Sequence, residues 1–169
     1  MSKRQKPLAV RMLEQRKVPH EVFEFDASIR SAEEVARATG MAAHEVYKTL
    51  VVEHDPPKGK PNLVMMPAGS ELDLKALAAA LGAKKLRMAS HVDAERHTGL
   101  KVGGISALAL AGKGFPVYID QRATELTHIL VSAGQRGFDV RLPVPDLLAL
   151  TGARPVSGCS AQAANPSRD

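Results

Sequence analysis

Tyr47-Lys48-Thr49-Leu50-Val51-Val52 is a short apolar run rich in β-branched residues, and it predicts a buried β-strand. Side chains alternate along a strand, so Lys48 shares a face with Leu50 and Val52. A lysine among inward-facing neighbours either carries its ammonium out at the strand end or delivers it into a pocket that holds an anion such as phosphate. The strand alone leaves both readings open. Next comes Asp55-Pro56-Pro57-Lys58-Gly59-Lys60-Pro61, whose prolines cannot donate to a ladder. It reads as a hairpin loop leading to a second strand, Asn62 to Pro67.

The flanking segments alternate between helix and strand signals. Upstream, Pro7 suits a first helical turn, with Leu8, Ala9, Met12 and Leu13 as the apolar stripe. A strand is expected over Val18 to Phe25. Ser31-Ala32-Glu33-Glu34 is a capping-box pattern; Ala32, Val35 and Ala36 form the buried face, and Gly40 ends the helix. Downstream, Leu74, Leu77, Ala78 and Leu81 recur at helical spacing, with Gly82 as the stop. Lys85 to Met88 predicts a strand and Ser90 to His97 a capped helix. Val117 to Asp120 and His128 to Ser132 predict strands. Phe138 to Leu142 pairs with the latter across a glycine-containing turn, and Pro145 to Leu150 makes a last helix. Hairpins between intermixed elements predict an α+β domain with a mixed, largely antiparallel sheet. The expected organisation is a basic leader over 1–6, one domain over 7–152 and a disordered tail over 153–169.

Composition narrows the function classes. The 169 residues carry a net charge of +5, with basic groups gathered at Lys3-Arg4-Gln5-Lys6, Arg16-Lys17 and Lys84-Lys85-Leu86-Arg87. This permits a polyanionic partner without requiring one. Aromatics make up only 4% and tryptophan is absent, which argues against a base-stacking platform. A single cysteine, Cys159, excludes an intrachain disulfide and fits a reducing compartment. No run reaches membrane-spanning length, so a cytoplasmic protein is expected. Histidines 20, 44, 54, 91, 97 and 128 show no metal-ligand spacing, and neither a metal nor a cofactor is expected.

Two glycine-containing loops stand out. In Gly99-Leu100-Lys101-Val102-Gly103-Gly104-Ile105-Ser106 the adjacent glycines allow close backbone approach and converging N–H groups, or simply a tight turn. The spacing is neither a P-loop nor a dinucleotide fingerprint. In Ser132-Ala133-Gly134-Gln135-Arg136-Gly137-Phe138-Asp139 the glycines suit a hairpin turn. Ser132 and Asp139 lie beside apolar strand residues, and Asp139 has a local reading as a turn cap or as the partner of Arg136.

Taken in order, these segments resemble the YbaK/EbsC family of aminoacyl-tRNA deacylases. The resemblance rests on Val46-Tyr47-Lys48-Thr49-Leu50, Leu72-Asp73-Leu74-Lys75 with Ala80-Leu81-Gly82-Ala83-Lys84-Lys85, Val102-Gly103-Gly104-Ile105-Ser106, Val131-Ser132-Ala133-Gly134 and Arg136-Gly137-Phe138-Asp139. It runs from about Ala9 to Leu150 and is greater to the Cys-tRNA(Pro) branch than to the alanine-specific one. It implies a twisted mixed sheet curled toward a partly open barrel and flanked by helices. It also implies editing of mischarged tRNA in trans, with the aminoacyl-tRNA acceptor end and prolyl-tRNA synthetase as partners.

The resemblance further assigns roles. Lys48, Gly103, Gly104 and Asp139 become the catalytic set; Phe25, Tyr47, Ser106, Ser132 and Gly134 become the substrate-binding set. Lys48 would hold the phosphate beside the terminal adenosine, and the Gly103–Gly104 amides the ester oxyanion. Asp139 would pair with the α-ammonium and Ser132 would orient the ester or ribose. In this branch the substrate thiol attacks its own ester and leaves a thiolactone, which suits a site without an enzyme nucleophile. The chain departs from the family at Ala107, often proline, at Phe25, a tyrosine in some relatives, and at Gln135. Two alternatives remain: water-driven editing of another small amino acid such as alanine, and a non-catalytic tRNA- or synthetase-binding module.

Overall fold

The computed structural model describes residues 5–162, so residues 1–4 of the expected leader and 163–169 of the expected tail lie outside the described residues. The elements in chain order are α1 (Leu8–Gln15), β1 (Glu21–Glu24), α2 (Ala32–Thr39), β2 (Tyr47–His54), β3 (Asn62–Pro67), β4 (Ser70–Leu72), α3 (Leu74–Leu81), β5 (Leu86–Met88), α4 (His91–Thr98), β6 (Val117–Asp120), β7 (His128–Ser132), β8 (Phe138–Pro143), α5 (Val144–Thr151), β9 (Arg154–Val156) and β10 (Ser160–Gln162).

The Lys48 run is indeed a central strand. β2 pairs antiparallel with β3 over Tyr47–Val52 and, on its other edge, with β5 over Val52–His54 only. β6 then adds to β3, and β9 to β6, both in parallel, giving the order β5-β2-β3-β6-β9. A second sheet, β1-β8-β7, is antiparallel throughout. The two sheets meet at one parallel bridge, Val46 to Leu130. From that bridge β2 and β7 diverge, so the fold is an α+β curl with a fork in it; among the described residues no ladder closes it into a barrel.

Local chemistry explains the boundaries. Ser31 Oγ accepts from the Glu34 N–H and its hydroxyl donates to the Glu34 carboxylate, while Gly40 stops α2 at φ 72°. Such a cap contributes about 1 kcal/mol. Asp73 and Ser90 cap α3 and α4 in the same way. α1 buries Ala9, Val10 and Leu13, and leaves Leu8 58% exposed. Pro7 is the N-cap and not the first helical residue, so the buried stripe is rotated relative to the expected one. The strand expected over Val18 to Phe25 shrinks to Glu21–Glu24, because Pro19 has no N–H to contribute. Phe25 still donates its N–H to the Gly137 carbonyl just past the ladder.

The disordered tail is the main correction. Residues 154–162 form β9 on the β6 edge and β10 against β4, and Cys159 is buried between them with its carbonyl accepting the Asp73 N–H. Strands of three residues, Arg154-Pro155-Val156 and Ser160-Ala161-Gln162, carry almost no periodicity, and Pro155 is tolerated because β9 is an edge strand. No helix of the described residues is long and apolar enough to cross a membrane.

Candidate functional site

The fork between the sheets is a cleft of about 310 Å³. β2 forms its floor through Lys48, Thr49 and Leu50; β7 and β8 bring Ser132 and Asp139; the glycine loop brings Val102, Gly103 and Ile105; and the N-terminal end of α2 brings Arg30, Ser31 and Glu33. The Val51 carbonyl accepts from Ala89 N–H on the β5 side. By strand alternation Thr49 turns its backbone to that same edge, ahead of the point where β5 begins to pair, so its peptide groups face the cleft.

Lys48 reaches across the cleft rim with its side chain 27% exposed, and its Nζ lies 4.0 Å from Glu33 Oε1. That carboxylate is occupied elsewhere, since it accepts the Gly69 N–H at 2.9 Å. Its own backbone N–H, then Gly69 and the Lys48 and Arg37 charges, hold the carboxyl below its ordinary range against the opposing effect of burial. The ammonium is thus oriented by a neighbour that does not neutralise it fully, an arrangement suited to an incoming anion.

Asp139 is 6% exposed and registers opposite Phe23 on one side and Ser132 on the other. Among the described residues its carboxylate has no ion pair, and burial pushes it up to about 7. The sign follows. Between the ordinary carboxylate range and about 7 the folded protein holds a proton that the unfolded chain has lost. Stability therefore falls as pH rises through that window, by up to about 1.4 kcal/mol per pH unit. We expect urea unfolding between pH 4.5 and 7 to show this decline, and Asp139→Asn to remove it. An unchanged slope in the variant would refute the assignment.

The two loops are locked together. Glu95 Oε2 accepts the Val102 N–H at 2.9 Å, and Arg136 Nε donates to the Val102 carbonyl at 2.7 Å. Gly103 has φ 91°, and a Cβ there would stand 3.0 Å from Arg30 Cγ. Gly104 faces the other loop, where a Cβ would meet Arg136 N at 2.9 Å. The Gly104 N–H is taken by the Lys101 carbonyl at 2.8 Å, so it cannot serve an oxyanion without breaking that turn. Of the adjacent pair, only Gly103 lines the cleft.

The remaining expected residues divide. Ser132 lines the cleft, its Oγ accepting the Gly134 N–H at 3.2 Å, which leaves its hydroxyl proton to donate. Gly134 shapes that turn: φ is 97°, and a Cβ would approach Ala109 Cβ to 2.8 Å. Ser106 is buried and its Oγ accepts the Ala109 N–H, a turn-capping use outside the cleft wall. Phe25 packs with Val35, Ala36, Val46 and Leu130 behind α2. Tyr47 borders the cleft but is 2% exposed and sits in the main core.

A model of the aminoacyl-tRNA editing domain matches residues 26–150. The chain belongs to the aminoacyl-tRNA editing domain family. EbsC of Enterococcus faecalis, provisionally named a Cys-tRNA(Pro)/Cys-tRNA(Cys) deacylase, is 41% identical over 149 residues, covering 87% of this chain and 89% of EbsC. A proline–tRNA ligase of Shouchella clausii is 33% identical over 110 residues, 64% of this chain but only 18% of the ligase. A solved structure described provisionally as a trans-editing enzyme for prolyl tRNA synthetase superposes with a TM-score of 0.75 at 26% identity, covering 95% of this chain and all of that one. By this membership the protein is an enzyme of the aminoacyl-tRNA deacylase class.

Sequence reasoning missed two charged residues of this editing domain. Arg30 lines the cleft with its stem on Gly103, and Glu33 orients Lys48. The capping box located Glu33 on the first turn of α2, but nothing local points that turn at β2. Among the described residues the buried Tyr47 hydroxyl has no hydrogen-bond partner; burial and then the Asp120 charge push its phenol well above the usual range. An unpaired buried hydroxyl costs about 1–3 kcal/mol. Tyr47→Phe is therefore expected to leave the editing domain as stable or about 1 kcal/mol more stable in urea titration. Destabilisation beyond that would mean the hydroxyl has a role.

Proposed function

We propose that this editing domain acts in trans on cysteinyl-tRNA(Pro), and on cysteinyl-tRNA(Cys), through attack of the substrate thiol on its own ester. The observation that supports this reading is the cleft wall. It places a lysine, a glycine-loop backbone and a buried carboxylate together, with no histidine or cysteine among the lining residues. A cysteinyl ester carries its own nucleophile. Its sulfur bonds to the carbonyl carbon, the bond from that carbon to the ribose oxygen breaks, and the thiol proton ends, net, on the released ribose hydroxyl. The product is a thiolactone.

The protein supplies position and charge. Lys48 holds the phosphate beside the terminal adenosine, with Arg30 at the same mouth. The Asp139 carboxylate pairs with the α-ammonium, and the Ser132 hydroxyl orients the ester or ribose. Holding thiol and carbonyl together removes up to about 7–11 kcal/mol of the barrier. The Gly103 N–H, aimed at the oxyanion, adds roughly 2.7–4 kcal/mol. Prolyl-tRNA synthetase is the partner that would supply tRNA identity, in keeping with the two relatives whose names refer to that enzyme.

A second reading rests on Asp139. A carboxylate with a pKa of about 7 suits a general base for water, which would allow alanyl or seryl esters as substrates. Matched Cys-, Ser- and Ala-tRNA(Pro) separate the two. Cyclisation predicts release from the cysteinyl ester at least about 100-fold faster than from the seryl ester, since a hydroxyl is a far poorer nucleophile than a thiol. Equal rates would overturn the thiol mechanism and leave the water reading in place.

A further inference from the structure

The basic run Lys84-Lys85-Leu86-Arg87 finds no use in the cleft. It becomes β5 and its approach, and it borders a second cavity of about 290 Å³ at the far end of β2. Lys58, Arg87, Arg96, His54 and His97 line that cavity, together with Glu53 and Asp93. The acids are already engaged. Glu53, 7% exposed, receives Arg87 Nε at 3.0 Å and lies 3.3 Å from His97 Nε2. Asp93 holds Arg96 at 2.9 Å. Asp55, at the rim, stands 3.4 Å from Lys85 and 3.8 Å from Arg87. Lys58 pairs with none of them.

Buried Glu53 thus acts as an anchor. It fixes a guanidinium and an imidazole in one wall while Lys58 and Arg96 stand exposed at the mouth. A guanidinium fixed in the wall with exposed basic side chains around a concavity suits a sugar–phosphate backbone, since phosphate contacts position a nucleic acid without reading its sequence. The distance also fits. Six residue steps along β2 lead from Lys48 to His54, about 20 Å at strand rise. That is on the order of six stacked nucleotides at about 3.4 Å each. An acceptor end with its last nucleotide in the cleft would bring backbone phosphates to this cavity.

We propose that the cavity between the 55–61 loop, β5 and α4 is a second RNA-contacting surface, which holds backbone phosphates of the tRNA acceptor arm. The inference rests on the aminoacyl-tRNA reading of the cleft, and its test requires no ester cleavage. Uncharged tRNA(Pro) is titrated against the full chain and the Lys58→Ala/Arg96→Ala variant between 50 and 200 mM salt. The variant is expected to bind at least tenfold more weakly at low salt, with the log–log salt slope flattened by about 1.4–1.8 for two lost phosphate contacts. A CCA trinucleotide, too short to span both sites, should bind both proteins equally. Lys58→Arg/Arg96→Lys should restore affinity and slope, which separates charge from folding. Unchanged affinity and slope would overturn the proposal, as would equal weakening for the trinucleotide. So would loss confined to binding of prolyl-tRNA synthetase, since the surface would then face protein.

Discussion

Lys48→Ala is expected to lower kcat/KM for cysteinyl-tRNA by about 100-fold, with the thermal midpoint shifted by less than about 3 °C. The two halves of this expectation have separate causes. A hydrogen bond to a charged group contributes about 1.5–3 kcal/mol, which spans roughly ten- to more than a hundredfold in rate. Stability should hardly move, because the pair with Glu33 is loose, at 4.0 Å, and half-exposed. Such pairs contribute about 0–1 kcal/mol, a few degrees at most in a chain of this size. Glu33 also keeps its Gly69 partner when the lysine is gone. Steady-state deacylation and a melting curve on the same preparation decide it. A variant with parental activity would remove Lys48 from the site.

Gly104→Ala should do the opposite and damage structure first. The new methyl would stand 2.9 Å from Arg136 N and 3.0 Å from the Gln135 carbonyl carbon. Both are backbone atoms, so no rotamer change relieves the clash. Overpacking of this kind costs about 1–3 kcal/mol, and the relief must come from separating the two loops. Separation pulls on the Arg136–Val102 bond and shifts Gly103 and Ser132, which border the cleft. Loss of stability together with a fall in kcat/KM is the expected result. A stable, fully active variant would mean that the loops have more play than their contacts indicate.

The sequence was most legible where one residue type has one physical use. Ser31 and Ser90 cap helices as read, Asp73 caps α3 in the same way, and Gly40, Gly82 and Gly152 stop their helices in the left-handed region. The hairpins β2–β3 and β7–β8 followed from apolar runs around turn-forming loops. The parallel joins of β3 to β6 and β6 to β9 were not legible, because they link segments distant in the chain and leave no local pattern. The site divides along the same line. Lys48, Gly103, Ser132 and Asp139 stand in motifs and meet in one cleft. Arg30 stands in none, and is brought there only by the packing of α2. The environment of Asp139 was hidden for a related reason: its burial comes from Phe23 and Ser132 on neighbouring strands, whereas its sequence neighbours suggested a turn.

The final strands work as a clasp. β9 fastens to the margin of the five-stranded sheet, and a few residues later the Cys159 carbonyl takes the Asp73 N–H at the start of α3. A shortened protein ending at Gly152 would release both fastenings together. It would bare the β6 backbone to any passing strand, and self-association is the foreseeable outcome of such an open margin.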